Sequence, residues 1–264
     1  MVKGVFRCFI ALAAVLMMSV PAMAEDDAPT ADLSVSFLSQ YIWRGYELSQ
    51  DSLVIQPSAT FSYKGFSANI WSNLDTDPYD SAMENLNETD WTLSYDYSFD
   101  MVSGSVGYIY YDLDGADDSQ ELFVSATLDT LLSPTLTIYR EFAHYPSTYV
   151  TLEISHSYEF DRGITLNMSL MGSALFSDDE DAYADPDDPK DKYSNFHDGK
   201  ASVSLEIPAT AFCSAKGAQY FTITPEINWV FPIGSDASDV MEEGSVDQDD
   251  DNFFYGGVTV SFSF

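Results

Sequence analysis

Residues 254–264 read Phe-Tyr-Gly-Gly-Val-Thr-Val-Ser-Phe-Ser-Phe, and apolar and polar side chains alternate along this stretch. One parity carries Phe254, Val258, Val260, Phe262 and Phe264, whereas the other carries tyrosine, threonine and serine. Because successive side chains of a β-strand point to opposite faces, strict alternation predicts a strand with one apolar face. We therefore predict a strand that ends in an aromatic residue.

The same alternation continues through most of the chain, for example over 91–99, 164–170 and 221–231. No stretch shows the 3.6-residue repeat of an amphipathic helix, so the pattern predicts an all-β protein. We predict twelve strands, near residues 32–44, 53–63, 66–74, 89–99, 102–112, 120–129, 134–143, 148–160, 163–176, 198–208, 218–231 and 252–264.

The lengths of these strands favour a membrane barrel over a soluble sandwich. Strands of globular sheets average roughly 5–6 residues, whereas a tilted strand needs roughly 9–11 residues to cross a bilayer. Most of the predicted strands fall in the longer class. Alternation alone cannot separate the two folds, since a sandwich would turn the same apolar face inward.

The predicted connections alternate between short and long. Turns follow the second, fourth, sixth and eighth strands, and longer segments follow four of the odd-numbered strands, at 75–88, 113–119, 177–197 and 232–251. Short periplasmic turns opposite longer external loops, on an even strand number, are typical of outer-membrane barrels. We therefore predict a transmembrane antiparallel up-and-down β-barrel of about 12 strands, closed by pairing of the last strand with the first.

Aromatic residues near the strand ends predict two girdles at the membrane interfaces. The expected partners are outer-membrane lipid and lipopolysaccharide, and the C-terminal Phe264 resembles the signal by which barrel assembly machinery recognises its substrates. Arg140 and His156 have the lipid-facing parity and fit poorly. Arg140 either pairs with a lipopolysaccharide phosphate or is turned inward by a β-bulge. His156 is either a neutral ring that the lipid-facing surface tolerates, or a sign that the predicted register of its strand is wrong.

Composition narrows the class of protein. The 264 residues carry 10 Lys+Arg against 43 Asp+Glu, a formal net charge of −33. A nucleic-acid binder needs a basic face, so no nucleic-acid partner is expected. The 15% of aromatic residues argues against a disordered acidic chain. The length fits one domain, and Cys8 and Cys213 cannot form a disulfide scaffold.

Residues 1–24 have the features of a cleaved Sec signal peptide. Lys3 and Arg7 precede an apolar stretch over 8–20, and Ala22-Met23-Ala24 supplies the small residues that a signal peptidase requires. The stretch is too short for a membrane-spanning helix. The expected mature chain, 25–264, is a single barrel domain in the outer membrane of a Gram-negative bacterium.

The first predicted strand carries the sequence Ser36-Phe-Leu-Ser-Gln-Tyr-Ile-Trp-Arg-Gly45. It resembles the first strand of the TorF-type porin family, whose signature is Ser-x-Tyr-x-x-Arg-Gly. The matching residues are Ser39, Tyr41, Arg44 and Gly45. The resemblance covers about the first fifth of the mature chain. It implies a porin-like barrel and no particular substrate.

Inward parity predicts the residues that line the lumen. They are Arg44, Asp96, Glu121, Glu141, Glu153, Glu206 and Glu226. An open lumen with this acidic lining would favour cations. The alternative is a narrow barrel filled by side chains, in which the carboxylates are paired. Arg44 is either a selectivity residue at the pore rim or a salt bridge that fixes a loop.

The external loops are strongly acidic. Clustered carboxylates suit Ca²⁺ or Mg²⁺, and the candidate ligands are Asp178, Asp179, Asp181, Asp249, Asp250 and Asp251. The alternative is a solvated, flexible rim. No resident cofactor is expected beyond such loosely bound ions.

Catalysis has little support in the sequence. The histidines His144, His156 and His197 lie apart, and no Gly-x-Ser-x-Gly elbow is present. We therefore predict a porin-like channel for passive diffusion of small polar or cationic solutes, and no enzyme. The alternatives are a closed structural or interaction barrel, whose acidic loops bind divalent cations or a surface partner, and a lipid-modifying barrel enzyme.

Overall fold

The computed structural model describes residues 28–80, 82–248 and 250–264. The predicted leader (1–24) and Asp249 lie outside these ranges. Twelve strands form a closed barrel in which neighbouring strands are antiparallel, and this confirms the predicted fold class. The barrel strands are β1 (Thr30–Leu38), β4 (Val54–Tyr63), β5 (Phe66–Asp75), β6 (Leu86–Phe99), β7 (Val102–Leu113), β8 (Ser119–Leu128), β9 (Thr135–Glu141), β10 (Ser147–Glu159), β11 (Thr165–Ser177), β12 (Ser194–Pro208), β13 (Phe221–Pro232) and β14 (Phe253–Ser263).

The predicted closure between the last and first strands is present. β14 pairs with β1 from Asp32↔Ser263 to Leu38↔Gly257. Beyond the register, the backbone amide of Phe264 donates to the carbonyl of Ala31 at 3.0 Å. The barrel therefore has no free edge strand.

Apolar side chains of the barrel strands point outward, as the parity predicted. Leu93, Leu152 and Ile227 are 61%, 57% and 53% exposed on the outer surface. The opposite parity is buried in the lumen and carries many polar side chains, such as Asn73 on β5 and Asn228 on β13. A barrel that is apolar outside and polar inside inverts the usual arrangement of a soluble protein and matches that of membrane barrels.

The two ends of the barrel differ in their connections. The short-turn end has the connections 64–65, 100–101, 129–134, 160–164 and 209–220. The long-loop end has the connections 39–53, 76–85, 114–118, 142–146, 178–193 and 233–252. The alternation is as predicted for most connections; the exceptions are 209–220, which is long for the short-turn end, and 114–118 and 142–146, which are short for the long-loop end.

Two elements differ from the prediction. The first strand was predicted to reach residue 44, but β1 ends at Leu38, and the chain then forms a hairpin of β2 (Ile42–Trp43) and β3 (Tyr46–Glu47). The loop before β14 contains a helix, α1 (Ser235–Gly244), where no helix was predicted. So short a helix is marginal by itself and is stabilised by packing; its buried residues are Ala237, Val240 and Met241. No helix in the described ranges is both long and apolar enough to span a membrane.

The structure shows how Arg140 and His156, which fitted the lipid-facing parity poorly, are accommodated. Arg140 stays on the outer face, where it forms an ion pair with Asp178 and donates to Thr148 Oγ1 at 3.1 Å. The alternative of an inward-turning bulge is therefore wrong. A ring nitrogen of His156 lies 2.9 Å from the carbonyl oxygen of Leu131, in a turn at the short-turn end. His156 is thus a partnered residue near one rim and not an error of register.

Candidate functional site

The β2–β3 hairpin folds into the lumen and carries the charged group at its centre. Its two turn residues, Arg44 (φ 49°) and Gly45 (φ 85°), both have left-handed backbone conformations. This is the pattern of a tight two-residue hairpin turn. A Cβ at position 45 would lie 2.9 Å from Met241 Sδ of helix α1, so Gly45 is required both by conformation and by space.

The side chain of Arg44 crosses to the opposite wall and pairs with Glu121 of β8. Arg44 Nη1 donates to Glu121 Oε1 at 2.6 Å, and Nη2 donates to Oε2 at 2.8 Å. Tyr111 of β7 donates its hydroxyl to the same Oε2 at 2.7 Å. The side chain of Arg44 is 11% exposed and that of Glu121 is 1% exposed. The pair is therefore a buried, bidentate salt bridge.

Aromatic rings surround the guanidinium of Arg44. Its Cζ lies 4.6 Å from the ring centroid of Trp43, 4.7 Å from that of Tyr139 and 4.5 Å from that of Tyr149. These distances are within the range of cation–π attraction. Burial alone would lower the pKa of Arg44, but the charge of Glu121 raises it above its ordinary value, so Arg44 stays a cation.

The hairpin is held by the loop that contains α1. The backbone amide of Glu47 donates to Ser245 Oγ at 2.9 Å, and the amide of Val246 donates to the carbonyl of Glu47 at 3.0 Å. The side chain of Tyr46 packs in a buried cluster with Tyr149, Leu175, Tyr193 and Val240. Buried His197 lies with Nε2 2.9 Å from the carbonyl oxygen of Arg44.

A buried carboxyl group lies at the foot of the hairpin. Glu47 is 3% exposed and accepts a hydrogen bond from Gln40 Nε2 at 2.8 Å. Burial raises the pKa of Glu47 to about 7, and the charge of Asp247 acts in the same direction, whereas hydrogen bonds from the backbone of Asp51 and from Gln40 oppose the rise. Glu47 therefore changes charge in the neutral pH range.

The hairpin divides the lumen into two cavities. The upper cavity, toward the long-loop end, has a volume of about 510 Å³. The lower cavity, toward the short-turn end, has a volume of about 430 Å³. Trp43, Arg44 and Tyr111 line both cavities and therefore form the partition between them. The arrangement is that of a constriction with a chamber on each side.

The predicted lumen residues separate into two groups. Glu121 and Glu141 line the upper cavity, and Glu153 lines the lower one together with Arg44. The other three line neither cavity: Asp96 and Glu206 are exposed, and Glu226 accepts a hydrogen bond from Asn228 at 3.0 Å. Arg44 lies at the tip of the inward hairpin and not at the pore rim, and it forms the salt bridge that the sequence offered as one alternative.

The four signature residues form and place the hairpin. Ser39 exchanges hydrogen bonds with Gly256 of β14 where the chain leaves the barrel wall. Tyr41 is buried, with its ring 5.6 Å from that of Trp71 of β5, and Arg44 and Gly45 make the turn. The motif read in the sequence as part of a strand is therefore the frame of the constriction.

Several lining residues were not identified from the sequence. Asp90 and Asp198 line the lower cavity, and Glu88, Tyr46 and Tyr183 line the upper one. The signal that could have found the hairpin is the Arg44-Gly45 pair, because glycine in a two-residue turn between apolar segments is typical of hairpins.

The acidic loop residues proposed as metal ligands do not gather at one point. Asp178 pairs with Arg140, and Asp179 Oδ1 accepts the backbone amide of Asp181 at 3.1 Å. Asp251 accepts a hydrogen bond from Ser238, Asp250 lines a separate small pocket, and Asp249 lies outside the described residues. Within the described ranges no three His, Cys, Asp or Glu side chains are placed to hold a metal ion.

Comparison with known proteins supports the fold. The chain is similar to the structure of the KdgM porin, with a TM-score of 0.51 and 12% identity over 88% of this chain and 99% of that one. It is also similar to the NanC porin, with a TM-score of 0.54 and 10% identity over 88% of this chain and 98% of that one. No family model and no curated protein sequence matches the chain.

Proposed function

We propose that this protein is an outer-membrane channel through which small polar solutes diffuse passively. The observation that carries the proposal is a closed twelve-stranded barrel, apolar outside, with two cavities stacked along its lumen. The structural similarity to two porins supports it. The resemblance of the Ser39–Gly45 segment to TorF-type porins agrees with it, and membership of that family is part of the proposal.

The proposed location is the outer membrane of a Gram-negative bacterium. The apolar outer face would contact lipid, and the long-loop end, which is rich in carboxylates, would face outward. Divalent ions at these loops would link them to lipopolysaccharide phosphates. The terminal Phe264 would be read by the assembly machinery, and residues 1–24 would be removed after export.

Selection would occur at the partition. A solute that enters the upper cavity reaches the Arg44–Glu121 pair and the rings of Trp43 and Tyr111 before it can enter the lower cavity. The width of this gap sets the size limit. The charges on either side of it set the preference between cations and anions.

The charge of the lining supports a preference for cations. Among the described residues that line the upper cavity, Arg44 is the sole basic one, and it is already paired; the acidic lining residues are Glu88, Glu121, Glu141, Glu180, Asp181 and Glu243. In the lower cavity Asp90, Glu153 and Asp198 face Arg44 and Lys200, so the excess of negative charge is smaller. A cation would therefore be concentrated above the constriction.

Liposome swelling tests passive diffusion directly. Refolded protein is reconstituted into liposomes, and the swelling rate is compared for arabinose, lysine and glutamate against protein-free liposomes. The proposal predicts swelling with arabinose, and faster swelling with lysine than with glutamate. A folded barrel that permits no swelling with any of the three would overturn the channel function.

One observation favours the closed barrel as a second candidate. The hairpin occupies the middle of the lumen, and its salt bridge is buried and bidentate. If the hairpin never moves, the barrel conducts nothing, and its acidic loops would serve to bind divalent ions or a surface partner. Absence of swelling together with binding of Ca²⁺ to the folded protein would support this candidate.

A further inference from the structure

The upper cavity is lined by two buried side chains that each have a polar atom without a hydrogen-bond partner. Glu141 of β9 is 4% exposed, and its Oε2 has no partner in the structure. Tyr46 of the hairpin is 6% exposed, and its hydroxyl oxygen has none either. A buried polar atom without a partner destabilises the folded state. Such atoms are uncommon in folded proteins, and two in the lining of one cavity indicate that something else satisfies them.

The carboxylate of Glu141 is held in place by its other oxygen. Oε1 accepts hydrogen bonds from Ser119 Oγ at 2.6 Å and from the backbone amides of Ala143 at 2.8 Å and His144 at 3.0 Å. No basic side chain is within ion-pair distance of it among the residues that the structure describes. The carboxyl group of Glu141 is thus fixed in position, with one oxygen still to be satisfied. The group it lacks is a donor, and a cationic donor would also neutralise its charge.

The walls of the cavity are aromatic. The rings of Tyr46 and Tyr183 are stacked, with centroids 6.1 Å apart and planes at 26°, and Trp43, Tyr111 and Tyr145 are the other aromatic residues of the lining. Aromatic faces attract ammonium groups and also cover apolar groups. The volume of about 510 Å³ is within the range of small-molecule sites, roughly 300–1,000 Å³. The cavity therefore suits a ligand with both an apolar body and a positive charge.

The charge of the lining excludes an anion. Within the described part of the chain, Arg44 is the one basic residue that lines this cavity, and its guanidinium is already bound to Glu121. Glu180, Asp181 and Glu243 add further negative charge around the upper part of the cavity. An anion placed here would face repulsion without a free cation to offset it.

We propose that the upper cavity is a binding site for an amphipathic organic ammonium ion. The ammonium group donates to Glu141 Oε2, and the apolar body of the ligand lies against the rings of Tyr46 and Tyr183. This proposal goes beyond passive diffusion, because it predicts saturable binding of a ligand. Such binding does not require that the barrel conduct. A closed barrel with this site would still bind the ligand, so the two proposals fail separately.

Isothermal titration calorimetry on the full-length mature barrel, refolded in detergent micelles, tests the site. The probes are phenethylammonium, neutral 2-phenylethanol and anionic phenylacetate, which share the same ring. Titration into protein-free micelles gives the partitioning background. The proposal predicts saturable one-site binding of phenethylammonium, at least tenfold tighter than that of 2-phenylethanol, and no binding of phenylacetate.

Two substitutions connect the binding to the site. Glu141→Gln removes the charge and keeps an acceptor for Ser119, and it should weaken phenethylammonium at least tenfold while leaving 2-phenylethanol unchanged. Tyr46→Phe removes the hydroxyl alone and should weaken it several-fold. Glu206→Gln, which lines neither cavity, is the control and should change nothing. Folding of each variant is checked by heat-modifiable migration in gels.

Three results would overturn the proposal. The first is equal affinity for the ammonium and the alcohol, because the ring alone would then account for binding. The second is unchanged affinity in folded Glu141→Gln. The third is tighter binding of a neutral disaccharide than of phenethylammonium, which would assign the cavity to carbohydrate.

Discussion

Replacement of Arg44 by methionine should release the hairpin from the lumen. Arg44→Met keeps most of the side-chain volume but leaves the carboxylate of Glu121, 1% exposed, with Tyr111 as its remaining partner. Removal of one member of a buried ion pair costs about 3–5 kcal/mol. Since about 1.4 kcal/mol corresponds to a factor of ten, the ratio of docked to undocked hairpin should fall about 100-fold to several thousand-fold.

The barrel wall does not include the hairpin, so the cost should appear as a change in the channel and not as unfolding of the barrel. Twelve strands remain paired in a closed ring without β2 and β3. Single-channel recordings of Arg44→Met should therefore show larger and noisier currents than those of the original protein, and hydrogen exchange at residues 42–47 should accelerate.

Two further variants make this test decisive. Arg44→Met combined with Glu121→Gln removes the unpaired charge. The ratio of docked to undocked hairpin should therefore return most of the way to that of the original protein. Arg162→Met, in an exposed turn at the short-turn end, should behave as the original protein. If Arg44→Met leaves both the current and the exchange at 42–47 unchanged, the salt bridge does not hold the constriction, and the reasoning is refuted.

Three other changes follow from the same geometry. Gly45→Ala places a Cβ at a left-handed position (φ 85°) and should destabilise hairpin docking by about 1–2 kcal/mol, measurable as faster exchange at 42–47. Burial raises the pKa of Glu47 to about 7 from a usual 4.5. Hairpin docking should therefore be strongest in acid and weaken as the pH rises from about 4.5 through about 7. Glu47→Gln should abolish the pH dependence of the channel current in that window. Glu153→Gln should reduce the preference for K⁺ over Cl⁻ without changing docking, as read from the reversal potential in a KCl gradient.

Each of these has an outcome that contradicts it. Exchange at 42–47 in Gly45→Ala equal to that of the original protein would mean that the turn is not a constraint. A current that is equally pH-dependent in Glu47→Gln would assign the titration to another group. An unchanged reversal potential in Glu153→Gln would remove the lower cavity from charge selection.

The sequence was sufficient to predict the barrel because the side chains of each barrel strand alternate between its two faces with a period of two residues. Each barrel strand has lipid-facing and lumen-facing positions, so alternation identifies both the strand and its faces. The predicted bounds of most barrel strands agree with the structure to within a few residues, as for β4 (Val54–Tyr63) against 53–63. The positions and lengths of the turns and loops could be predicted from the stretches that separate the alternating segments.

The hairpin was missed because its sequence continues the pattern of the strand before it. Tyr41 and Trp43 return to the apolar parity of Phe37, so the segment was predicted as one strand although Ser39 interrupts the alternation where β1 ends. Whether this segment continues as a strand or folds into the lumen as a hairpin depends on the space inside the closed barrel. The sequence of one strand does not encode that space. Helix α1 was missed for a similar reason, because its buried residues Val240 and Met241 pack on the hairpin and on several barrel strands, and the sequence of the loop does not encode those contacts.

Parity identified the lumen side of Glu121 but not its pairing with Arg44. Six carboxylates were predicted to point inward, and the structure brings one of them to the guanidinium. Which one does so depends on the tilt and stagger of the strands, and these are properties of the closed barrel as a whole. The cavity residues that parity did not single out, such as Tyr46 and Asp198, depend on the same geometry.

Planar-bilayer recording of the refolded mature protein in a KCl gradient tests the central claim most directly. We predict discrete conductance steps with a reversal potential on the K⁺-selective side, because carboxylates outnumber cations on both sides of the constriction. A folded, heat-modifiable barrel that gives no steps, or one whose reversal potential shows a preference for Cl⁻, would contradict a cation-preferring channel.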